Sequence, residues 1–221
     1  KGGFRMQYLA MLTMLIDHIG VVFFPDDPLW RIIGRIAFPI YAYGIVMGLA
    51  HTRSRKRYAT RLAVIGAAAQ LPYMAALGVL QINVIGTFLA AIGVLALMER
   101  TPSPVLKAAV FLAGVAALEL VPFSYGGYAL VLIWIYRALA GRPFAMVAAH
   151  AALNAVYVLQ TGAALQMFSL LPTLVIAFAP RLAAKRLAPR WLWWSFYPAH
   201  LAALAAAEAV RTWSGAVALA G

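Results

Sequence analysis

Continuous apolar stretches, broken by short clusters of charge, proline and glycine, run the length of the chain. They predict helices at about residues 7–24, 29–50, 59–78, 84–98, 104–121, 127–140, 144–161, 165–180 and 191–212. A helix crossing the hydrocarbon core of a bilayer needs about 20 predominantly apolar residues. The pattern is therefore that of about nine membrane spans with short connections. Pro25, Pro28, Pro102, Pro104, Pro122, Pro143, Pro180 and Pro189 all fall at or near the connections, where a missing N–H costs least. The expected fold class is all-α, a polytopic transmembrane helix bundle. Residues 1–221 form one integral-membrane domain, with no room for a separate soluble one.

Composition agrees, and charge adds an orientation. The 221 residues are 65% hydrophobic and 11% charged, whereas soluble domains carry about 25% charged residues. With nine spans and a cytoplasmic N-terminus, the inner side holds Lys1, Arg5, Arg53, Arg55, Lys56, Arg57, Arg61, Arg100, Lys107, Arg137, Arg142, Arg181, Lys185, Arg186 and Arg190, which is 15 of the 18 basic residues. Arg31, Arg35 and Arg211 remain, and the loops around 78–83, 121–126 and 160–164 carry no Lys or Arg. Basic residues concentrate on cytoplasmic loops, so the net charge of +12 reflects membrane topology and not a nucleic-acid partner. Lys1 and Arg5 precede an apolar run, as in a signal peptide, but Asp17 and His18 interrupt it and no small-x-small site follows. A retained first helix is expected. Cysteine is absent, which removes disulfides, thiolate metal sites and acyl-cysteine intermediates.

Several polar side chains interrupt the predicted spans. An ionisable residue at the centre of an inserted helix costs about 2.5–3.5 kcal/mol on insertion scales. Asp17 and His18 in the first span, Arg31 and Arg35 in the second and His200 in the ninth are of this kind. Arg31 and Arg35 share one helix face, and the short turn at 25–28 makes the first two spans antiparallel neighbours. An Asp17–Arg35 pair is expected, either as a structural ion pair or as part of a reaction centre. His18 and His200 are both candidate general bases; each is equally explained as a helix–helix hydrogen-bond partner. His150 and Asn154, four apart, read as interhelical glue. Gly44 and Gly48 form a G-x-x-x-G that reads as close helix packing. Four scattered histidines offer no metal-ligand spacing, and no phosphate loop, nucleophile elbow or dinucleotide fingerprint is present.

The densest charge run is His51-Thr52-Arg53-Ser54-Arg55-Lys56-Arg57-Tyr58, followed by Arg61. Such a run is usually a headgroup anchor; its functional reading is a phosphate site, because guanidinium forks match phosphate oxygens.

The segments Met14–Gly20, Gly34–Pro39, Gly48–Arg53 and Tyr197–Leu201 resemble the TraX family over about residues 5 to 205. That family takes its name from a conjugation protein that acetylates the N-terminus of a pilin. The resemblance implies a multi-pass protein of the bacterial inner membrane that uses acetyl-CoA as acyl donor, with no metal. More distantly, the first span is similar to that of other transmembrane acyltransferases. The resemblance does not carry a substrate with it.

Under this reading His51, Arg53, Arg55, Arg57 and Arg61 hold the donor's phosphates. His18 deprotonates the acceptor, an amine such as the N-terminus of a pilin-like peptide or an amino group of a small molecule or sugar. Asp17 fixes the geometry, and Arg35 stabilises negative charge or holds Asp17. Arg31, Asn83, Tyr197 and His200 are candidate acceptor-side residues; Asn83 equally suits a helix cap, and His200 is the second candidate base. The competing classes are a small transporter with an Asp17–His18–Arg35 relay and a non-enzymatic assembly partner for pili or the envelope.

Overall fold

The computed structural model describes residues 6–181 and 189–220. Lys1, Arg5, Lys185 and Arg186, assigned above to the inner side, lie outside the described residues, as does the side chain of Arg190. The described chain is all-α. Its helices are α1 (Met6–Phe23), α2 (Pro28–Gly34), α3 (Ala37–His51), α4 (Arg55–Leu77), α5 (Val84–Arg100), α6 (Pro104–Leu120), α7 (Gly126–Ala138), α8 (Pro143–Thr161), α9 (Leu170–Phe178) and α10 (Arg190–Ala220). A 3-10 segment, Ala164–Ser169, leads into α9. These helices lie where the apolar pattern placed them, with two instructive differences.

The expected second span is two helices, α2 and α3. Pro39 has no N–H to offer the carbonyl four residues back, and its ring crowds that carbonyl. That residue is Arg35, and the chain turns at Arg35–Ile36. The turn is closed by Arg35 N–H to Arg31 O (3.1 Å) and Ile36 N–H to Ile33 O (3.2 Å). The second difference is at α4, which begins at Arg55 because the Ser54 hydroxyl accepts from the Arg57 N–H at 3.3 Å. Arg55, Lys56 and Arg57 of the basic run therefore form a capped first helical turn, while Arg53 stays in the connection.

Helix α7 is the centre of the bundle. Gly126 to Leu130, Leu132, Ile133, Ile135 and Tyr136 are all buried, so this short helix is enclosed except along the face that carries Trp134 and Arg137. Its neighbours supply Phe38, Ile40, Ile45, Phe88, Ile92 and Leu95 to one core. A second core joins Met14, Ala69, Tyr73 and Ile85 to Tyr197, Leu201 and Leu204 of α10. At one end of the bundle the connections after α4 and α6 are stitched by Ile82 N–H to Pro122 O (2.8 Å) and Ser124 N–H to Ile82 O (2.9 Å).

Polar side chains are buried among the apolar core, and large apolar ones cover much of the outside. His150, Asn154, Ser169 and Thr173 are fully buried, while Leu80, Leu120, Leu159 and Phe144 are largely exposed. Such a surface is stable against lipid and not against water. Three helical stretches, Met6–Phe23, Pro28–His51 taken through its turn, and Pro143–Thr161, are long and apolar enough to cross a membrane. The protein is membrane-associated.

Candidate functional site

A single cavity of about 1220 Å3 runs through the bundle and contains most of the chemistry. Its volume exceeds the usual ligand-pocket range of roughly 300–1,000 Å3. At one mouth it is lined by His51, Arg53, Arg57 and Arg61; at mid-depth by Asp17, His18, Arg31, Arg35 and Tyr197; at the other mouth by Glu119, Ser124, Tyr125 and Tyr157.

The mid-depth centre is built by α1 and α10. His18 Nδ1 and His200 Nε2 are 2.8 Å apart, and His200 Nδ1 is 2.6 Å from the Phe196 carbonyl. A carbonyl can only accept, so His200 carries its proton on Nδ1 and accepts on Nε2. His18 must then donate from Nδ1, and its lone pair sits on Nε2. Two neutral rings and one backbone carbonyl thus fix the tautomer of the histidine that lines the cavity. His200 is buried behind it and lines none of the cavity, so its place is that of a positioning residue.

Asp17 pairs with Arg31 at 2.7 Å, and the expected Asp17–Arg35 pair is not formed. Arg35 keeps its place one helical turn after Arg31, its N–H bonded to the Arg31 carbonyl, but its side chain is taken up elsewhere. Arg35 Nη1 donates instead to Gln166 Oε1 at 3.0 Å, and its Nε is buried with no hydrogen-bond partner. A buried guanidinium N–H without an acceptor is costly, and the cavity is where an incoming group can supply one. Gln166 is itself held by Asn154, whose side-chain amide donates to the Gln166 carbonyl and to Ser169 Oγ.

Behind Gln166 lies a directed polar network. The Tyr128 hydroxyl donates to Asn154 Oδ1 (2.8 Å), so it accepts from His150 Nε2 (2.9 Å). His150 Nδ1 then accepts from the Thr173 hydroxyl at 2.7 Å. His150 and Asn154 join α7, α8 and α9, as their spacing predicts.

Close approach of α1 and α2 depends on glycine. A Cβ on Gly34 would lie 2.0 Å from Asp17 Oδ1 and 2.4 Å from Asp17 Cβ, so the carboxylate occupies the space a side chain would need. We expect Gly34→Ala to destabilise the protein by about 1–3 kcal/mol, as overpacking does. Gly44→Ala, with nothing within 4 Å of its Cβ position, should leave the melting temperature in detergent nearly unchanged. Equal melting of the two variants would show that α1 and α2 are not held at this distance. Gly44 faces the cavity and Gly48 seats the Tyr58 ring of α4, so the close packing expected of the G-x-x-x-G is met at Gly48 and not at Gly44.

Two other sequence-derived candidates fall outside the cavity. Arg55 is ion-paired with Glu99, which also holds Arg137. Arg57 and Arg61 share a face of α4, whereas Arg55, two residues from Arg57, points about 200° away. Asn83 is a structural cap: its Oδ1 accepts from Ile85 and Gly86 N–H, and its Nδ2 donates to Gly66 O and Gln70 Oε1. It is 1% exposed, which leaves no atom free for an acceptor. Arg61 also sits 5.6 Å over the Trp194 ring, so α10 closes the basic mouth. Gln166, Glu119, Tyr125 and Tyr157 are cavity or positioning residues that sequence reasoning missed. The spacing of Gln166, Ser169 and Thr173 on one face of an apolar run was the available signal.

A family model described as TraX protein matches residues 4–207. The probable fimbrial assembly protein FimC, serogroup H1, of Dichelobacter nodosus is 26% identical, with 93% of this chain and 95% of that protein covered. A protein of Rickettsia prowazekii (strain Madrid E) named uncharacterized protein RP591 is 45% identical over 38 residues, 17% of this chain and 15% of its own length. No solved structure matches the chain.

Proposed function

This chain belongs to the TraX family, and from that membership we propose that it is a multi-pass bacterial inner-membrane acetyltransferase associated with pilus assembly. It crosses the bilayer nine times, with its N-terminus and the basic mouth in the cytoplasm. The donor is acetyl-CoA and the acceptor is an amine; the pilus association follows the name of the fimbrial assembly relative. The observation that carries this reading is the continuity of the cavity from Arg53, Arg57 and Arg61 to His18 and Arg35.

The residues fit a phosphorylated donor carrying a carbonyl group. At the basic mouth Arg57 and Arg61 are exposed, bear guanidinium forks suited to phosphate, and make no ion pair among the described residues. The unpartnered Arg35 Nε–H at mid-depth suits a carbonyl oxygen that gains negative charge. Acetyl-CoA would supply the activated acetyl group. His18 Nε2 takes the proton released by the acceptor amine as it is acylated. His200 keeps His18 in the tautomer that can do so, and Arg31 pairs with Asp17.

Donor binding is tested by thermal unfolding in detergent. A ligand at one hundred times its Kd raises stability by about 2.7 kcal/mol. We expect acetyl-CoA and CoA to raise the melting temperature of the wild type, and the double variant Arg57→Ala/Arg61→Ala to lose most of that rise while melting normally without ligand. Absence of any shift at millimolar acetyl-CoA, together with no transfer of labelled acetyl to added peptide amines, would return the ionic centre to a structural role and favour an assembly protein without chemistry.

A further inference from the structure

The two mouths of the cavity differ in charge. One is lined by Arg53, Arg57 and Arg61, the other by Glu119. The chain has six acidic residues. Asp17, Glu99 and Glu208 are ion-paired with arginines, and Asp27 caps α2 by accepting from Leu29 N–H. Asp17 and Glu119 are the two that line the cavity, and among the described residues Glu119 has no cationic partner.

Its carboxylate is nevertheless built into place. Glu119 Oε1 accepts from Gly127 N–H at 2.8 Å. A Cβ on Gly126 would lie 2.8 Å from Oε1 and 3.0 Å from Oε2, and Gly126 has φ +45°. The glycine pair therefore lets backbone come up against the carboxylate, and the N-terminus of α7 favours its negative charge. One oxygen is used by this cap; Oε2 has no hydrogen-bond partner among the described residues. Glu119 is exposed, and the rings of Tyr125 and Tyr157 line the cavity with it. Tyr125 is fixed by stacking on Phe38, ring centroids 3.8 Å apart. A free carboxylate oxygen and tyrosine rings lining one cavity are the groups that recognise an organic ammonium.

We propose that Glu119, with Tyr125 and Tyr157, is the acceptor entrance, binding a protonated primary amine that reaches the cavity from the side opposite the basic mouth. It rests on the acetyltransferase reading only for the role of that amine as acceptor. The two substrates then approach the His18–Arg35 centre from opposite ends, each drawn by the charge of its own mouth. The ammonium is held at Glu119 and loses one proton to water at that mouth as the neutral amine moves inward; the second proton is the one His18 Nε2 takes as the C–N bond forms and the thioester C–S bond breaks, and it passes to the departing CoA thiolate.

Glu119→Gln tests this, because an amide oxygen still caps Gly127 while the charge is gone. The probes are a tetrapeptide amide with a free N-terminal alanine and a C-terminal fluorophore, and its N-acetylated twin, read by fluorescence anisotropy at low salt. Wild type should bind the free-amine probe about fivefold more tightly than the twin, the upper end for one partly exposed ion pair, and added salt should erode the difference. Glu119→Gln should bind both alike, with its acetyl-CoA melting shift unchanged. His18→Ala should keep the preference. Equal binding of the two probes by wild type, absence of binding by both, or a preference that survives in Glu119→Gln would overturn the proposal. Amine preference lost in Glu119→Gln with no acetyl-CoA shift in any variant would leave the amine site standing and remove the acetyltransferase reading.

Discussion

We expect His18→Ala to lower the proposed acetyl transfer from acetyl-CoA by about 10²–10⁴-fold, the range for loss of a positioned general base, without loss of the folded state. The magnitude follows from the hydrogen-bond direction at the centre. The Phe196 carbonyl fixes His200, and His200 fixes His18 with its lone pair on Nε2. His18 is the member of this chain that lines the cavity. His200→Ala should therefore cost less, about tenfold, because the base remains but its tautomer is no longer dictated. His200→Gln, whose amide oxygen can still accept from His18 Nδ1, should recover part of that loss. Initial rates with labelled acetyl-CoA and a peptide amine, with melting curves for each variant, check the series. Equal losses in His18→Ala and His200→Ala, with no recovery in His200→Gln, would instead mark the pair as structural glue between α1 and α10.

Arg35→Lys should lower the same rate by about 10²–10³-fold, as removal of one oriented donor to developing negative charge does. Lysine keeps the charge and has three N–H groups, but all sit on one nitrogen, so it cannot place donors at both the Nη1 and the Nε positions of the arginine fork. In the wild type Nη1 holds Gln166 and Nε is left without a partner. Gln166→Ala should fall between, since Arg35 keeps its N–H groups and loses the residue that aims them. The split between kcat and KM is diagnostic. An effect confined to acetyl-CoA KM would move Arg35 from the reacting carbonyl to ground-state binding of the donor.

The order of helices and their ends were legible in the chain because each apolar stretch stops at proline, glycine or charge, and these act locally. The same local chemistry hid two features. Pro39 acts on the carbonyl of Arg35, so the break in the second span lies four residues before the proline that causes it. Ser54 turned an apparent loop of arginines into a helix start, and so decided which of them share a face.

What sequence alone could determine was the inventory: an all-α membrane-associated chain, ionisable groups in the first, second and last apolar helices, and a basic run after the second. Pairing among those groups was decided only by tertiary structure. Asp17 meets Arg31 and not Arg35; His18 meets His200 across 182 positions; Arg55 leaves the cavity while Arg57 and Arg61 line it; and Asn83 is consumed by a cap. Gln166, Glu119 and the tyrosines gain their places in the same way. Partners in a bundle are chosen by depth and rotation about each helix axis. Depth depends on where a helix is capped, and rotation turns by about 100° per residue, so a shift of one residue or one broken turn exchanges one partner for another.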